Sequence, residues 1–306
     1  MLRIAFIIPT KDRELELGRL LRSLQGQCRL PEEIIIVDAS AEFKGQAYVT
    51  GGFGPLVIKH MKAHRACLPA QRNQGLEHVS SGIELVCFLD DDIVFCEGAV
   101  KEMASFWDQA SVDVAGAVFN IINEKFPTAG VYFKMIFGTG SVQRGAVLPS
   151  GYNSLMCPAI ETAYVQWLFG GATVWRRKIF SEFLFDEWFE GTGLCEDLDF
   201  SYRVGRRYRL VVVATARVEH LSGDVSRRRN FWFGRSQLRN RYYFVKKNQL
   251  SIGMCLWASA GQMLENIVLG VARRNVGYWQ RALGNFTGFF ELWTINVVSG
   301  HRKQQS

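Results

Sequence analysis

Three consecutive carboxylates, Asp90-Asp91-Asp92, directly follow the apolar run Leu85-Val86-Cys87-Phe88-Leu89. At neutral pH three adjacent acids at the end of a buried strand repel one another and cannot all be buried bare. Two environments relieve that repulsion. One is a solvated turn, where Asp is common. The other is a hard divalent cation with oxygen ligands, Mg²⁺ or Mn²⁺. A second acidic group, Glu196-Asp197 with Asp199, opens a segment of helical character. Acids in a helical first turn also complement the helix dipole, so this group has a structural reading beside a chemical one. His220 follows an apolar run and offers an imidazole, which serves as a metal ligand or as a structural group. Arg72 and Asn73 stand near the start of another helical segment, where an Arg is ordinarily a solvated side chain.

The elements that must position these residues follow from the pattern of apolar residues. Leu2 to Ile8 is short, continuously apolar and ended by Pro9, as a buried strand is. Leu17, Leu20, Leu21 and Leu24 recur at one-face helical spacing. Glu33 to Val37 is a second buried strand, ending at Asp38-Ala39-Ser40. Strand, helix, strand is a βαβ unit, hence a parallel sheet with a right-handed crossover. Ligands bind at the carboxyl ends of such strands. Here those ends carry Thr10-Lys11-Asp12-Arg13 and Asp38-Ala39-Ser40. After a Gly-rich loop over 41–56, Leu56 to Met61 predicts a third strand and Pro69 to Val79 a helix. Ile83 to Leu89 predicts a fourth strand, which delivers the Asp triplet. Glu97 to Trp107 predicts a helix and Val112 to Ile122 a further strand. From 123 to 158 the pattern fades into Gly, Pro and aromatics, read either as a lid or acceptor platform or as an insertion without a direct role. Val165 to Trp175 has Gly170-Gly171 at its centre and reads as a strand or turn passing close to a ligand. A helix over Asp197 to Arg207 and a strand over Leu210 to Ala214 complete the series.

The 306 residues, 48% of them hydrophobic, suit one large domain or a domain with an appendage. A net charge of +7 admits phosphate-rich ligands, nucleic acid or an anionic membrane surface. Seven cysteines lack any CxxC spacing, so neither a disulfide framework nor a zinc cluster is indicated, and a reducing cytoplasm is the simpler setting. The N-terminus does not read as a signal peptide, because Pro9, Lys11, Asp12 and Arg13 interrupt its apolar run. Residues 227–247 hold eight Lys/Arg and no acid, interleaved with aromatics. Ile252 to Ala272 is strongly apolar, but Gln262, Glu265 and Asn266 fall on one stripe, which predicts an amphipathic helix instead of a membrane span. Trp257, Trp279 and Trp293 with Arg273, Arg274 and Arg281 suit a membrane interface; a helix pair packed on the main domain is the alternative.

In order along the chain, Pro9-Thr10-Lys11-Asp12-Arg13, Val37-Asp38-Ala39-Ser40, Gln71-Arg72-Asn73-Gln74-Gly75, Leu89-Asp90-Asp91-Asp92, Gly170-Gly171 and Glu196-Asp197 resemble the family 2 glycosyltransferases. The resemblance covers residues 1–222. It implies an inverting enzyme with the GT-A nucleotide-sugar-binding fold, a mostly parallel α/β sheet flanked by helices. Residues 223–306 are then a basic, aromatic helical C-terminal extension. The resemblance also implies site roles. Pro9, Thr10 and Arg13 line the nucleotide pocket, and Asp38 accepts hydrogen bonds from uracil or thymine. Arg72 and Asn73 match the motif beside the nucleotide. Asp90 and Asp92 match the DxD pair that holds Mn²⁺ or Mg²⁺ on the donor diphosphate, which leaves Asp91 for the sugar or ribose. His220 completes the metal shell. Asp197 is the general base, with Glu196 as its substitute or an acceptor contact. Trp167, Gly170 and Gly171 face the acceptor. The family's second-strand motif often carries a polar residue where Ala39 stands, so the base is read as uridine first and deoxythymidine second.

The implied reaction moves a sugar from a UDP-sugar or dTDP-sugar to a lipid-linked glycan or polysaccharide acceptor. The expected setting is the cytoplasmic face of the cell membrane, with peripheral contact to anionic lipid and no nucleic-acid partner. The alternatives are a non-catalytic sugar-nucleotide scaffold and a single-stranded nucleic-acid-binding protein, the latter suggested by the basic and aromatic run.

Overall fold

β-branched and aromatic runs make the first strands, as expected for a pleated sheet covered on both faces. In the computed structural model, which describes residues 2–42, 52–124, 130–191, 193–221 and 227–295, these are Ile4–Thr10 (β1), Glu33–Asp38 (β2), Ile58–Lys62 (β3) and Leu85–Leu89 (β4). They run parallel in the spatial order β3-β2-β1-β4. Strands β1, β2 and β4 are buried along their whole length, whereas the edge strand β3 is half-buried. Helix α1 (Glu14–Gln25) buries Leu17, Leu20, Leu21 and Leu24, the face anticipated from their spacing. Each such leucine contributes about 1.5–3 kcal/mol by leaving water. Most of the Gly-rich stretch 41–56 lies outside the described residues.

Helix α2 (Leu68–Glu77) crosses back over β1 and β2. Its mid-helix Gly75 rests on Ile7; an added Cβ there would lie 2.4 Å from the Ile7 side chain. The remaining strands are Ile93–Phe95 (β5), Val114–Ile121 (β6), Ala163–Val165 (β7), Ala172–Arg176 (β8) and Arg209–His220 (β9). They extend the sheet to β3-β2-β1-β4-β8-β6-β9-β5, with β7 also on β9. The parallel core is therefore as expected, and antiparallel pairings enter where β8 joins β4 and β6. Helices Ala99–Gln109 (α3) and Glu196–Gly205 (α5) pack against β9. The final strand is longer than anticipated because charged Arg217 and Glu219 alternate outward with buried Ala216 and Val218.

Contacts divide the chain into two compact units, 1–126 with 155–223 and 127–154 with 224–306. Residues 127–154, where periodicity fails, thus group with the C-terminal helices. Their anchors are long-range. Arg241 donates to the carbonyl of Gly151 (2.6 Å) and to Asn153 (2.9 Å), and the Ser251 N–H donates to the Pro149 carbonyl (3.0 Å). A short helix, Val131–Phe137 (α4), stacks Phe137 on Trp257.

Among the described residues, the C-terminal part of the second unit holds three α-helices, Arg227–Lys247 (α6), Ile252–Ala272 (α7) and Val276–Glu291 (α8), and a 3-10 turn at Leu292–Thr294. Ser251 and Asn275 cap α7 and α8 by accepting from Met254 and Gly277 N–H groups. Backbones of α6 and α8 touch at Gly284, where a Cβ would lie 2.1 Å from the Phe231 carbonyl. Asn266 donates to Asn285 (3.0 Å), which donates to the Gly234 carbonyl (2.7 Å), and both asparagines are buried. No described helix is long and apolar enough to cross a membrane.

Candidate active site

Sheet register gathers the polar residues. Thr10 lies opposite Asp38 at the ends of β1 and β2. Ile7 pairs with Phe88, so the chain after β4 reaches Thr10, whose hydroxyl donates to Asp91 Oδ2 at 2.7 Å. Because β8 runs antiparallel to β4, Leu89 faces Ala172, and the Asp90 N–H donates to the Gly171 carbonyl at 2.8 Å. Strand β5 pairs antiparallel with β9 so that Ile93 meets His220, and the Leu221 N–H donates to the Asp92 carbonyl at 2.9 Å. That meeting depends on a register shift between β6 and β9 after Phe119. Asn120 stabilises the shift by donating to the carbonyls of Ala214 (3.0 Å) and Ala159 (2.9 Å).

Asp90, Asp92 and His220 each present a ligand atom, all within 4.8 Å of one another. Two carboxylates and an imidazole are a donor set suited to Mn²⁺ or Mg²⁺. Arg13 braces this cluster from α1's start, with Nη1 3.0 Å from Asp91 Oδ1 and Nη2 2.7 Å from Asp92 Oδ2. His220 Nε2 stands 3.2 Å from Asp92 Oδ1. Burial pushes the Asp91 carboxyl up to about 7, reinforced by Asp90 and Asp92 and opposed by Thr10 and Arg13. Burial also acts to raise Asp92, but His220 and Arg13 outweigh it and hold that carboxyl below its ordinary value. The same contact holds the His220 imidazole above its ordinary value against the opposing effect of burial.

Arg72 is the hub on the other side. It is 1% exposed. Its guanidinium pairs with Glu196 Oε1, donates to Asp90 Oδ1 at 3.0 Å and donates to the Gly170 carbonyl at 3.1 Å. Phe185 and Phe88 cover its faces, 5.3 and 5.9 Å from ring centres. Glu196 and Asp197 form the first turn of α5, entered through Cys195 at φ 73°. The Asp197 carboxylate accepts N–H bonds from Gly170 (3.0 Å) and Leu198 (2.7 Å). One guanidinium thus serves three acids. Burial keeps Arg72 under pressure to lose its charge, but Glu196, Asp90 and Asp197 hold it protonated. The acids share the surplus of negative charge. Burial pushes Glu196 up to about 8, partly offset by Arg72. Asp197 is raised by burial as well, against the two backbone N–H groups and Arg72.

Residues 5–156 match the family profile described as glycosyl transferase family 2. Residues 5–156 belong to that family. A comparison with curated proteins finds no match. Among solved structures, residues 1–349 of S. aureus TarS superpose with a TM-score of 0.54 at 13% identity, covering 96% of this chain and 92% of that one. A mannosyltransferase from Pyrobaculum calidifontis, solved with GDP-Man and Mn²⁺, gives 0.58 at 14% identity over 96% and 88%. GalNAc-T7, solved with UDP, GalNAc and Mn²⁺, gives 0.58 at 18% identity over 80% of this chain and 48% of that one. At such identities the likeness concerns the fold, the glycosyltransferase GT-A architecture.

Within this glycosyltransferase, the structure brings together Thr10, Arg13, Arg72, Asp90, Asp91, Asp92, Glu196, Asp197 and His220. Asp38 lies beside them at the end of β2, where it accepts from the Ser40 N–H (2.8 Å) and pairs with His60 Nε2 (3.1 Å). Pro9 is buried within β1. Asn73 bonds outside the Asp90–Asp92 and Glu196–Asp197 groups; its amide donates to the Phe185 carbonyl and to Glu187 and accepts from the Phe185 N–H. Trp167 is buried. Two contributors were given no role by the sequence. Gln71 donates to the carbonyls of Thr10 (3.0 Å) and Val37 (2.8 Å), clamping both strand ends. His60 comes from the third strand, where nothing local distinguishes it.

Gly170 and Gly171 owe their identity to crowding. A Cβ on Gly170 would lie 2.7 Å from both Arg72 Nη1 and Asp197 Cβ, and one on Gly171 would lie 2.5 Å from Asp90 Oδ2. Gly171→Ala is expected to lose about 1–3 kcal/mol of stability by overpacking. It should also weaken divalent-ion binding by displacing Asp90. Denaturant melts and Mn²⁺ titration check the two effects; an unchanged ion affinity would contradict the placement of Asp90.

Proposed function

We propose that this glycosyltransferase moves a sugar from a UDP-sugar, or secondarily a dTDP-sugar, to a hydroxyl of a lipid-linked glycan or polysaccharide, with inversion at the anomeric carbon. The observation that carries the reading is the pairing of two chemically distinct acid groups across Arg72. Asp90, Asp92 and His220 converge on one side, and Asp197 stands on the other. The first group suits the diphosphate end of a donor and would hold Mn²⁺ or Mg²⁺. When bound, such an ion neutralises the charge that builds on the departing diphosphate. Asp197 is assigned as the general base. The acceptor oxygen bonds to the anomeric carbon, the bond from that carbon to the diphosphate oxygen breaks, and the acceptor's proton passes to Asp197.

Glu196, pushed up to about 8, keeps its proton at neutral pH and is not the base. Backbone N–H groups from Gly170 and Leu198 aim the Asp197 carboxylate. Asp38, fixed by His60 and Ser40, is assigned to the nucleotide base, with Thr10 and Arg13 at the pocket's floor. Asp91, itself near neutral, is assigned to the ribose or sugar. TarS has been solved with UDP-GlcNAc and with UDP, and GalNAc-T7 with UDP, which favours uridine over the guanosine of GDP-Man.

A donor panel tests this assignment. A UDP-sugar with Mn²⁺ at 100 times its dissociation constant should stabilise the chain by about 2.7 kcal/mol in thermal unfolding, and its GDP counterpart should not. Equal stabilisation by both would remove uridine as the recognised base.

A further inference from the structure

Helices α7 and α8 carry large apolar side chains on their exposed faces. On α7, Trp257, Leu264, Val268 and Val271 recur at helical spacing and all are exposed. On α8, Trp279, Leu283, Phe286 and Phe290 do the same. Asn266 and Asn285 turn inward, buried and bonded to each other, and the half-buried Gln262 bonds Glu265. A surface helix in water shows the opposite arrangement. Exposure is large at individual positions, 53% for Val268 and 56% for Leu283. Two adjacent all-apolar stripes mark an interaction surface.

The chemistry of the surroundings selects the occupant. Residues 127–154 and 224–306 together hold 15 Lys/Arg against 3 Asp/Glu. Arg273 and Arg274 stand exposed at the turn that joins the two stripes. Joining two copies through this face would bring two strongly cationic units together. An anionic lipid surface neutralises them instead, and Trp with Arg is the composition of a membrane interface. A cavity of about 210 Å³ opens between α6, α7 and α8, lined by Leu238, Leu256, Met263, Phe286 and Phe289 with Ser259 and Asn285. Mobile acyl chains fill such a recess more readily than a rigid protein face does. No described helix is long and apolar enough to cross a bilayer, so a lipid contact of this face would be interfacial.

We infer that the α7–α8 face docks this chain on an anionic lipid bilayer, with the two apolar stripes in the headgroup–acyl boundary and Arg273 and Arg274 at the phosphates. The inference does not depend on the sugar-transfer chemistry. Flotation of the full chain with vesicles tests it. The chain should float with phosphatidylcholine vesicles containing phosphatidylglycerol, far less with phosphatidylcholine alone, and less at high salt. Val268→Asp with Leu283→Asp should lower the partition coefficient roughly tenfold or more, since both positions are exposed and bind through apolar area. Arg273→Ser with Arg274→Ser should lower it by roughly tenfold through charge alone. Unchanged thermal midpoints show that the variants fold. A wild-type chain that ignores anionic vesicles overturns the inference. So does a dimer that Val268→Asp with Leu283→Asp splits, which would make a second copy the occupant.

Discussion

Replacing Arg72 with methionine is expected to remove about 3–5 kcal/mol of folding stability and to stop sugar transfer. The side chain is 1% exposed and is the cation shared by Asp90, Glu196 and Asp197. Methionine retains comparable bulk between Phe88 and Phe185 but leaves those acids facing one another in a buried site. The urea midpoint should fall at an unchanged slope. Glu196→Gln should behave differently. Glutamine resembles the protonated acid, so at pH 6 that variant should match the wild type closely. The sign of its pH dependence follows from linkage. Between an ordinary carboxyl value of 4.5 and about 8, the native state holds a proton that the unfolded chain has released. This contribution is full below 4.5 and is lost as pH rises through about 8, by at most about 1.4 kcal/mol per pH unit. Glu196→Gln should flatten that decline. A Glu196→Gln variant as damaged at pH 6 as the Arg72 variant would show that Glu196 is ionised there.

Asp197→Asn should lower turnover roughly 10²–10⁴-fold while leaving donor affinity near the wild-type value. Asparagine can keep the bond from the Gly170 N–H through its carbonyl oxygen, so the loop and the first turn of α5 stay in place. It has no basic oxygen to receive the acceptor's proton. The relevant readout is UDP release from a labelled donor, measured beside equilibrium binding of UDP. A loss in binding equal to the loss in turnover would assign Asp197 to positioning the donor. Full retention of turnover would remove it from the reaction.

The sheet core was readable because a buried strand must be continuously apolar, as LRIAFII, EIIIV and the run before Asp90 are. The Asp triplet was readable as chemistry because three adjacent acids need compensation, and the compensating groups proved to be Arg13, Thr10 and His220. What stayed hidden was pairing between distant segments. Antiparallel β8 brings Gly171 to Asp90, and a register shift after Phe119 brings His220 to Asp92. Neither is written in local periodicity. Arg72, taken alone, read as a solvated helical arginine and entered the site only through the family resemblance; its burial among three acids became visible in the structure. Residues 127–154 lack periodicity because their order comes from tertiary bonds to α6 and to the start of α7. The polar stripe on α7 announced amphipathicity, but only packing revealed that its Asn266 is buried against Asn285.

The central claim is that Asp90, Asp92 and His220 form the seat of a divalent ion beneath a nucleoside diphosphate. Calorimetric titration of UDP in the presence and absence of Mn²⁺ tests it most directly, in the wild type and in Asp92→Asn. Mn²⁺ should tighten UDP binding by at least about tenfold in the wild type, a coupling of about 1.4 kcal/mol. In Asp92→Asn that tightening should vanish while metal-free binding persists. UDP affinity indifferent to Mn²⁺ in the wild type, or an Asp92→Asn variant with undiminished coupling, would contradict the account.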